Sequence, residues 1–320
     1  MRTPMTRRTF VEGTAMALAG AAAAPLLQRN AAADEKARIL VGCRDSHLGV
    51  AGAKDCWAAM EAVGAESVEA SIADNLSLPN LAPKGYTAAE AGQEKLLADM
   101  KVAKRRISAF CMANNFDGRP DFEAEWLTKA ARAAKALGVP AIRIDVVPHK
   151  LKREEFLKVA VETIKKAIAA TEDTGVCFGV ENHGGTTNDP EFLKALFDGV
   201  GSKRLGLTLD TGNFYWFGHP LSKLYELYET FAPRVVHTHC KNIKYPEAER
   251  EKKRVVGWEY GKYCCPLDEG DIDFKRVVKI LRGAGYTNDL CVEDEALGKF
   301  PEKERATILG REIKHLQGLL

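Results

Sequence analysis

Outside its N-terminus the chain has no apolar run near the roughly 18 consecutive residues of a spanning helix, so stable membrane insertion is not expected. It also has no surplus of charge of one sign, with 46 Lys and Arg against 44 Asp and Glu and a formal balance of +2. Residues 1–33 hold four of the basic and one of the acidic residues, and without them 42 basic residues face 43 acidic ones, a balance of −1. A duplex-DNA binder shows a basic footprint that is missing here, so no nucleic-acid partner is expected. Neither low-complexity sequence beyond residue 33 nor a long internal repeat is visible.

The N-terminus reads separately. Thr6-Arg7-Arg8-Thr9-Phe10 precedes an Ala-rich, mildly apolar stretch, Thr14–Leu27, and Ala31-Ala32-Ala33 offers a small-residue cleavage site. This is the pattern of a twin-arginine export signal over residues 1–33, which predicts a periplasmic or secreted protein. The eight cysteines do not read as a disulfide framework. Five lie in apolar strand runs, where a free Cys packs as a small hydrophobe. A twin-arginine substrate folds before export in a reducing compartment, and the adjacent Cys264 and Cys265 are expected to remain unpaired.

What is present is a regular alternation of strand and helix patterns. Strands are predicted at Ile39–Cys43, Ser67–Ile72, Arg106–Cys111, Ala141–Val147, Val176–Glu181, Leu205–Asp210, Val235–His239 and Leu290–Glu293. Apolar positions at three- and four-residue spacing predict helices over Ala51–Val63, Ala88–Ala103, Asp121–Leu137 and Leu151–Thr171. Further helices are predicted from Asp189-Pro190 onward and over Pro220–Phe231, Ile272–Leu281 and Glu302–Leu319, with Gly138, Gly283 and Gly285 as left-handed caps. Such alternation gives a parallel sheet, either a closed (β/α)8 barrel or an open doubly wound sheet. No Gly-rich phosphate loop follows Cys43, as an open nucleotide-binding sheet would require. The ends of the later strands favour the barrel, as one domain over residues 37–320.

Those ends carry the chemistry. The apolar run Val176–Val180 stops at Glu181, and the next strands stop at Asp210, His239 and Glu293. The first three residues are each 29 positions apart, close to the length of one βα unit, so they fall on consecutive strands. In a barrel all strand C-termini surround one mouth. Two Glu, one Asp and one His can then meet around one divalent ion, with Mn²⁺, Mg²⁺ or Co²⁺ suiting the oxygen-rich set better than structural zinc. His237, deeper on the same strand as His239, is assigned a core or supporting role.

These motifs resemble the xylose isomerase-like TIM barrels, the sugar phosphate isomerase/epimerase group. The resemblance is carried by GVENHGG with Glu181, LDTGN with Asp210, HTHCKN with His239 and Lys241, CVE with Glu293, and PLDEGDIDF over Pro266–Phe274. It implies that Glu181, Asp210, His239 and Glu293 bind one divalent ion. Ketose 3-epimerases of the group carry a His where this chain has Asn213 and an Arg where it has Tyr245, departures that put that particular activity in doubt. The strand 3 end, Ala113-Asn114-Asn115, has no His, which departs from the three-metal nucleases of the group.

The reading that follows is a metal-dependent isomerase or epimerase of a small unphosphorylated sugar or polyol. Glu181 and Glu293 are expected to move the proton beside a polarised carbonyl, and Lys241 to neutralise the charge that develops. His183, Asn213, Glu69, Arg143 and Asn115 are candidates for contacts with substrate hydroxyls at the mouth. Trp216 and Trp258 either stack on a sugar face or pack within long loops, and the charged loop Asn242–Gly270 is either a lid or a solvated excursion. The rivals are a keto-polyol dehydratase, which adds loss of water to the same proton abstraction, and a sugar-binding barrel without turnover. Association through exterior helices into a homo-oligomer is compatible with the fold.

Overall fold

The protein is described by a computed structural model over residues 38–82 and 85–320. The expected export signal at residues 1–33 lies outside the described residues. Residues Ile39–Leu320 form one compact unit.

Its centre is eight strands: β1 (Leu40–Arg44), β2 (Ser67–Ser71), β3 (Arg106–Cys111), β4 (Ala141–Ile144), β5 (Cys177–Glu181), β6 (Leu205–Asp210), β7 (Val235–His239) and β8 (Asp289–Val292). All are parallel and pair in chain order from β1 to β7, with β8 on the other side of β1. The last seam, between β7 and β8, is closed by a short bridge. Cys240 N donates to Cys291 O at 2.7 Å and Glu293 N to Cys240 O at 3.0 Å. The sheet is therefore a nearly closed (β/α)8 barrel, not a doubly wound sheet.

The helices between the strands are α1 (Cys56–Val63), α2 (Glu90–Ala103), α3 (Pro120–Leu137), α4 (Arg153–Ala170), α5 (Pro190–Val200), α6 (Leu221–Phe231), α7 (Phe274–Gly283) and α8 (Glu302–Gln317). Asp55, Asp189 and Asp273 cap α1, α5 and α7 by accepting from Ala58 N, Glu191 N and Lys275 N. Such a cap contributes about 1 kcal/mol. The predicted helix from Ala51 starts later, at Cys56, because Asp45–Ala51 forms a 3₁₀ turn that ends at left-handed Gly52. Gly138 and Gly285 have positive φ as expected, whereas Gly283 is the last residue of α7 and does not. Strand β4 stops at Ile144 instead of Val147, and Glu293 lies one residue past β8.

The helices present apolar faces to the barrel exterior. On α5 these are Phe192, Leu193, Leu196 and Phe197, with Phe192 stacked on Phe156 of α4 at 6.2 Å. Each such buried side chain is worth roughly 1.5–3 kcal/mol against exposure. Inside the barrel the chain approaches itself closely at glycine. A Cβ on Gly179 would sit 2.4 Å from Thr208 Oγ1, so β5 and β6 meet there only because the residue has no side chain. Among the described residues no helix is long and apolar enough to cross a membrane. All eight cysteines are free thiols.

Candidate metal centre and active site

Successive side chains on a strand point to opposite faces, so every second residue lines the barrel interior. Toward its C-terminal end this turns Arg44, Arg143, Glu181, Asp210 and His239 inward, with Glu69 deeper in mid-strand β2 and Glu293 just beyond β8. The register supports it, with Arg44 opposite Glu69 and Asp210 opposite His239. Glu181, Asp210, His239 and Glu293 each offer a ligand atom within 4.8 Å of the others, and all four are buried.

Each member is held by neighbours. Arg143 Nε donates to Glu181 Oε2 at 2.6 Å, and Asn213 Nδ2 to Glu181 Oε1 at 3.1 Å. Asp210 Oδ1 accepts from Gly212 N and Asn213 N, both at 2.8 Å. The Asn182 side chain bridges β5 to β6, accepting from Asp210 N at 2.8 Å and donating to Asp210 O at 2.9 Å. His239 Nε2 contacts Glu69 Oε1 at 2.8 Å, while its Nδ1 lies 3.0 Å from Glu293 Oε2 and 3.4 Å from Glu181 Oε1. Glu293 Oε1 pairs with Arg44 Nη1. Lys241 Nζ lies 3.0 Å from both Asp210 Oδ2 and Glu293 Oε2 and 2.7 Å from Glu295.

The donor set fits a cation. Asp210 Oδ2, His239 Nδ1 and Glu293 Oε2 are buried and make no hydrogen bond of acceptable geometry. Buried polar atoms are normally satisfied, and these three converge with ion pairs to Lys241 and to each other but no hydrogen bond, an arrangement that fits a bound cation. Three carboxylates and one imidazole nitrogen suit a hard or borderline divalent ion.

The charges set the protonation states. Burial acts to raise the Glu181 carboxyl, but Arg143 and His239 outweigh it and hold Glu181 well below the usual range. Burial is likewise outweighed at Glu293, where His239 and Lys241 keep the carboxylate ionised. Asp210 goes the other way, to about 7, because burial, Glu181 and Glu293 exceed the help from Lys241. Burial opposes the charged forms of Lys241 and Arg143, yet the adjacent carboxylates raise both.

Of the residues expected at the mouth, Arg143 and Asn213 reach Glu181, and His183 lies at the rim with Nδ1 3.0 Å from Asp145 Oδ1. Two differ from expectation. Glu69 is fully buried beneath His239, facing His237, His239 and Arg44 and not the opening. The reason is its place in mid-strand β2, one layer below the strand end. Asn115 is not brought to the cluster. Its backbone N donates to Glu123 Oε1 at 3.0 Å, and its side chain lies over Gly118 of its own loop.

The long loop after β7 is tied down. Asn242 donates to Leu267 O and Ile272 O and accepts from Ile272 N, which staples the two ends together. Gly270 is needed there, since its Cβ would fall 2.1 Å from the Asn242 side chain. Arg254 lies between the Tyr215 and Tyr245 rings, and Trp258 stacks on Tyr263 at 5.6 Å. Trp216 packs against Gly257 of the same excursion.

Sequence reasoning missed Arg44, His47 and Glu295. Arg44 ends β1 as Glu181 ends β5, so the strand-end rule could have found it. His47 has a buried Nε2 with no partner and is driven down to about 4, first by burial. It lies on the 3₁₀ turn after β1, which has no sequence signal of its own.

A profile of the family described as xylose isomerase-like TIM barrel matches residues 57–319. An inosose dehydratase of Clostridium perfringens is 26% identical over 218 residues, covering 62% of this chain and 71% of that protein. Among solved structures, the IOLI protein with a bound zinc atom superposes with a TM-score of 0.64 at 16% identity, covering 88% of this chain and 99% of the other. A D-allulose 3-epimerase from Methylomonas sp., in complex with D-allulose, gives 0.60 at 14% identity over 88% and 98%. The profile spans most of the barrel and all four residues of the buried cluster, and the chain belongs to the xylose isomerase-like TIM barrel family.

Proposed function

We propose that the protein is a divalent-metal-dependent isomerase or epimerase of a small sugar or polyol, working by proton transfer at the carbon beside a carbonyl. The observation that carries this reading is the pairing of Glu181 and Glu293. Both face His239 Nδ1, both are kept ionised, and each is braced by its own arginine. Glu181, Asp210, His239 and Glu293 would hold the ion, with Mn²⁺, Mg²⁺ or Co²⁺ as candidates. When bound, it would supply Lewis-acid polarisation of a hydroxy-carbonyl group.

The remaining work falls to side chains. Glu181, as an ionised carboxylate, accepts the carbon-bound proton, and Glu293 would return one to the other face after taking it up from water. Arg143 and Asn213 fix the Glu181 carboxylate, so its orientation needs no rearrangement during transfer. Lys241 is placed to offset negative charge that grows on the substrate oxygens. His183 and Asp145 at the rim are positioned to meet hydroxyl groups. A second reading, a keto-polyol dehydratase, uses the same abstraction and then expels water, and the inosose dehydratase relatives favour it. The proposal includes export by the twin-arginine route, supported by Arg7, Arg8 and the Ala-rich stretch that follows.

The test is a panel of free ketoses and inososes incubated with the protein and Mn²⁺ in D₂O and followed by NMR. Exchange at one carbon with a new diastereomer or ketose supports the main reading. A new enone or dione with loss of water supports the dehydratase. Glu181→Gln should abolish exchange without unfolding the protein, and persistent exchange rejects Glu181 as the base. No exchange with any compound that binds supports a barrel without turnover.

A further inference from the structure

Below the cluster lies a second buried chain of polar groups that the proton transfer does not use. Asp289 Oδ1 lies 2.8 Å from His237 Nδ1, His237 Nε2 lies 3.1 Å from Glu69 Oε1, and the same Glu69 oxygen lies 2.8 Å from His239 Nε2. All four side chains are fully buried. The outer oxygen of Glu69 faces Arg44 Nε at 2.9 Å. Ser67 Oγ donates to Asp289 Oδ2 at 3.4 Å.

We propose that Glu69, His237 and Asp289 form a positioning relay that fixes which ring nitrogen of His239 faces the three carboxylates. The inference rests on the cation reading above. An ionised carboxylate only accepts hydrogen bonds, so one Glu69 oxygen shared between two imidazole nitrogens requires a hydrogen on both. His237 meets this demand with a hydrogen on each ring nitrogen, donating from Nδ1 to Asp289 and from Nε2 to Glu69. With an ion bound, His239 would keep its hydrogen on Nε2 and give up the one on Nδ1, which is the nitrogen left for a cation. That atom is the orphan that lies 3.0 Å from Glu293. Metal-binding histidines generally donate their second ring N–H to a carboxylate or carbonyl, and losing that partner weakens binding about 10- to 100-fold. Here the partner carboxylate is itself oriented by a histidine and an aspartate, which places the control of ligand geometry on β2, β7 and β8 together.

The experiment measures Zn²⁺ affinity by competition with a chromophoric chelator for the full chain, Glu69→Gln and Asp289→Asn. A second arm records ¹⁵N NMR of the Zn²⁺-loaded, histidine-labelled wild type. Expected is one ion per chain, binding weakened about 10- to 100-fold in Glu69→Gln and less in Asp289→Asn. The His239 spectrum should show a protonated Nε2 and a metal-shifted Nδ1. Affinity unchanged in Glu69→Gln, or a metal-bound Nε2, overturns the relay while leaving the cation site intact. A second ion held by Glu69, His237 and His239 also overturns it. A wild type that binds no ion overturns the functional reading itself. Should a variant fail to fold, the wild-type spectrum still decides, since a purely structural contact would leave the choice of nitrogen open.

Discussion

Replacing Arg143 by Met tests whether the cluster is a charge-balanced cation site. The Arg143 side chain is 9% exposed and Glu181 2%, so neither reaches bulk water. Arg143 grips Glu181 Oε2 through both Nη2 and Nε, the Nε bond being 2.6 Å. At an effective dielectric constant of about 20, that separation gives about 6 kcal/mol of gross attraction, part of it offset by desolvation. Removing one partner leaves a buried carboxylate uncompensated, which costs about 3–5 kcal/mol. Urea unfolding of the chelated protein should show that loss as a lower midpoint with an unchanged slope. Adding a divalent ion should recover part of it, because a ligand at 100 times its Kd stabilises the native state by about 2.7 kcal/mol. A loss below about 1 kcal/mol, or a loss that Mn²⁺ leaves unchanged, refutes the reasoning.

The Gly179→Ala variant should lose about 1–3 kcal/mol by overpacking, since its Cβ would sit 2.4 Å from Thr208 Oγ1 and 2.9 Å from Val236 Cγ2. Thermal unfolding reads the loss, and an unchanged midpoint would show that β5 and β6 have slack there. Glu312 on α8 accepts from Leu267 N at 2.9 Å and is raised well above its ordinary 4.5 by burial and then by Asp294. The folded state therefore binds more protons than the unfolded chain between those two values, and stability falls as pH rises from about 4.5 toward the folded value. Glu312→Gln keeps the acceptor without the charge, so its stability should be flatter over that window and exceed wild type at pH 8. Parallel curves for the two proteins would contradict this.

The fold was legible because the βα period and the apolar strand runs are both local signals. The four cluster residues were legible for the same reason, as polar residues that end apolar runs at spacings of one or two units. Glu69 was misplaced because its depth depends on the stagger of β2 against β3, where the register shifts between Val68 and Glu69. That stagger is a property of barrel closure and leaves no mark in the chain itself. Asn115 lies apart from the cluster for a different reason. Its loop is held by Glu123, a residue of α3 whose burial cannot be seen from a helical pattern of charges. Arg44 was passed over because a basic residue after a strand reads as surface charge until its partners, Glu69 and Glu293, are known from strands far apart in sequence.

The account stands most directly on one count of bound metal. Chelated protein, reloaded with Mn²⁺ and dialysed, should carry one ion per chain by elemental analysis, and Asp210→Asn combined with His239→Gln should carry none while remaining folded by circular dichroism. A metal-free wild type, or a double variant that retains its ion, would contradict the claim that these strand ends meet around a common cation.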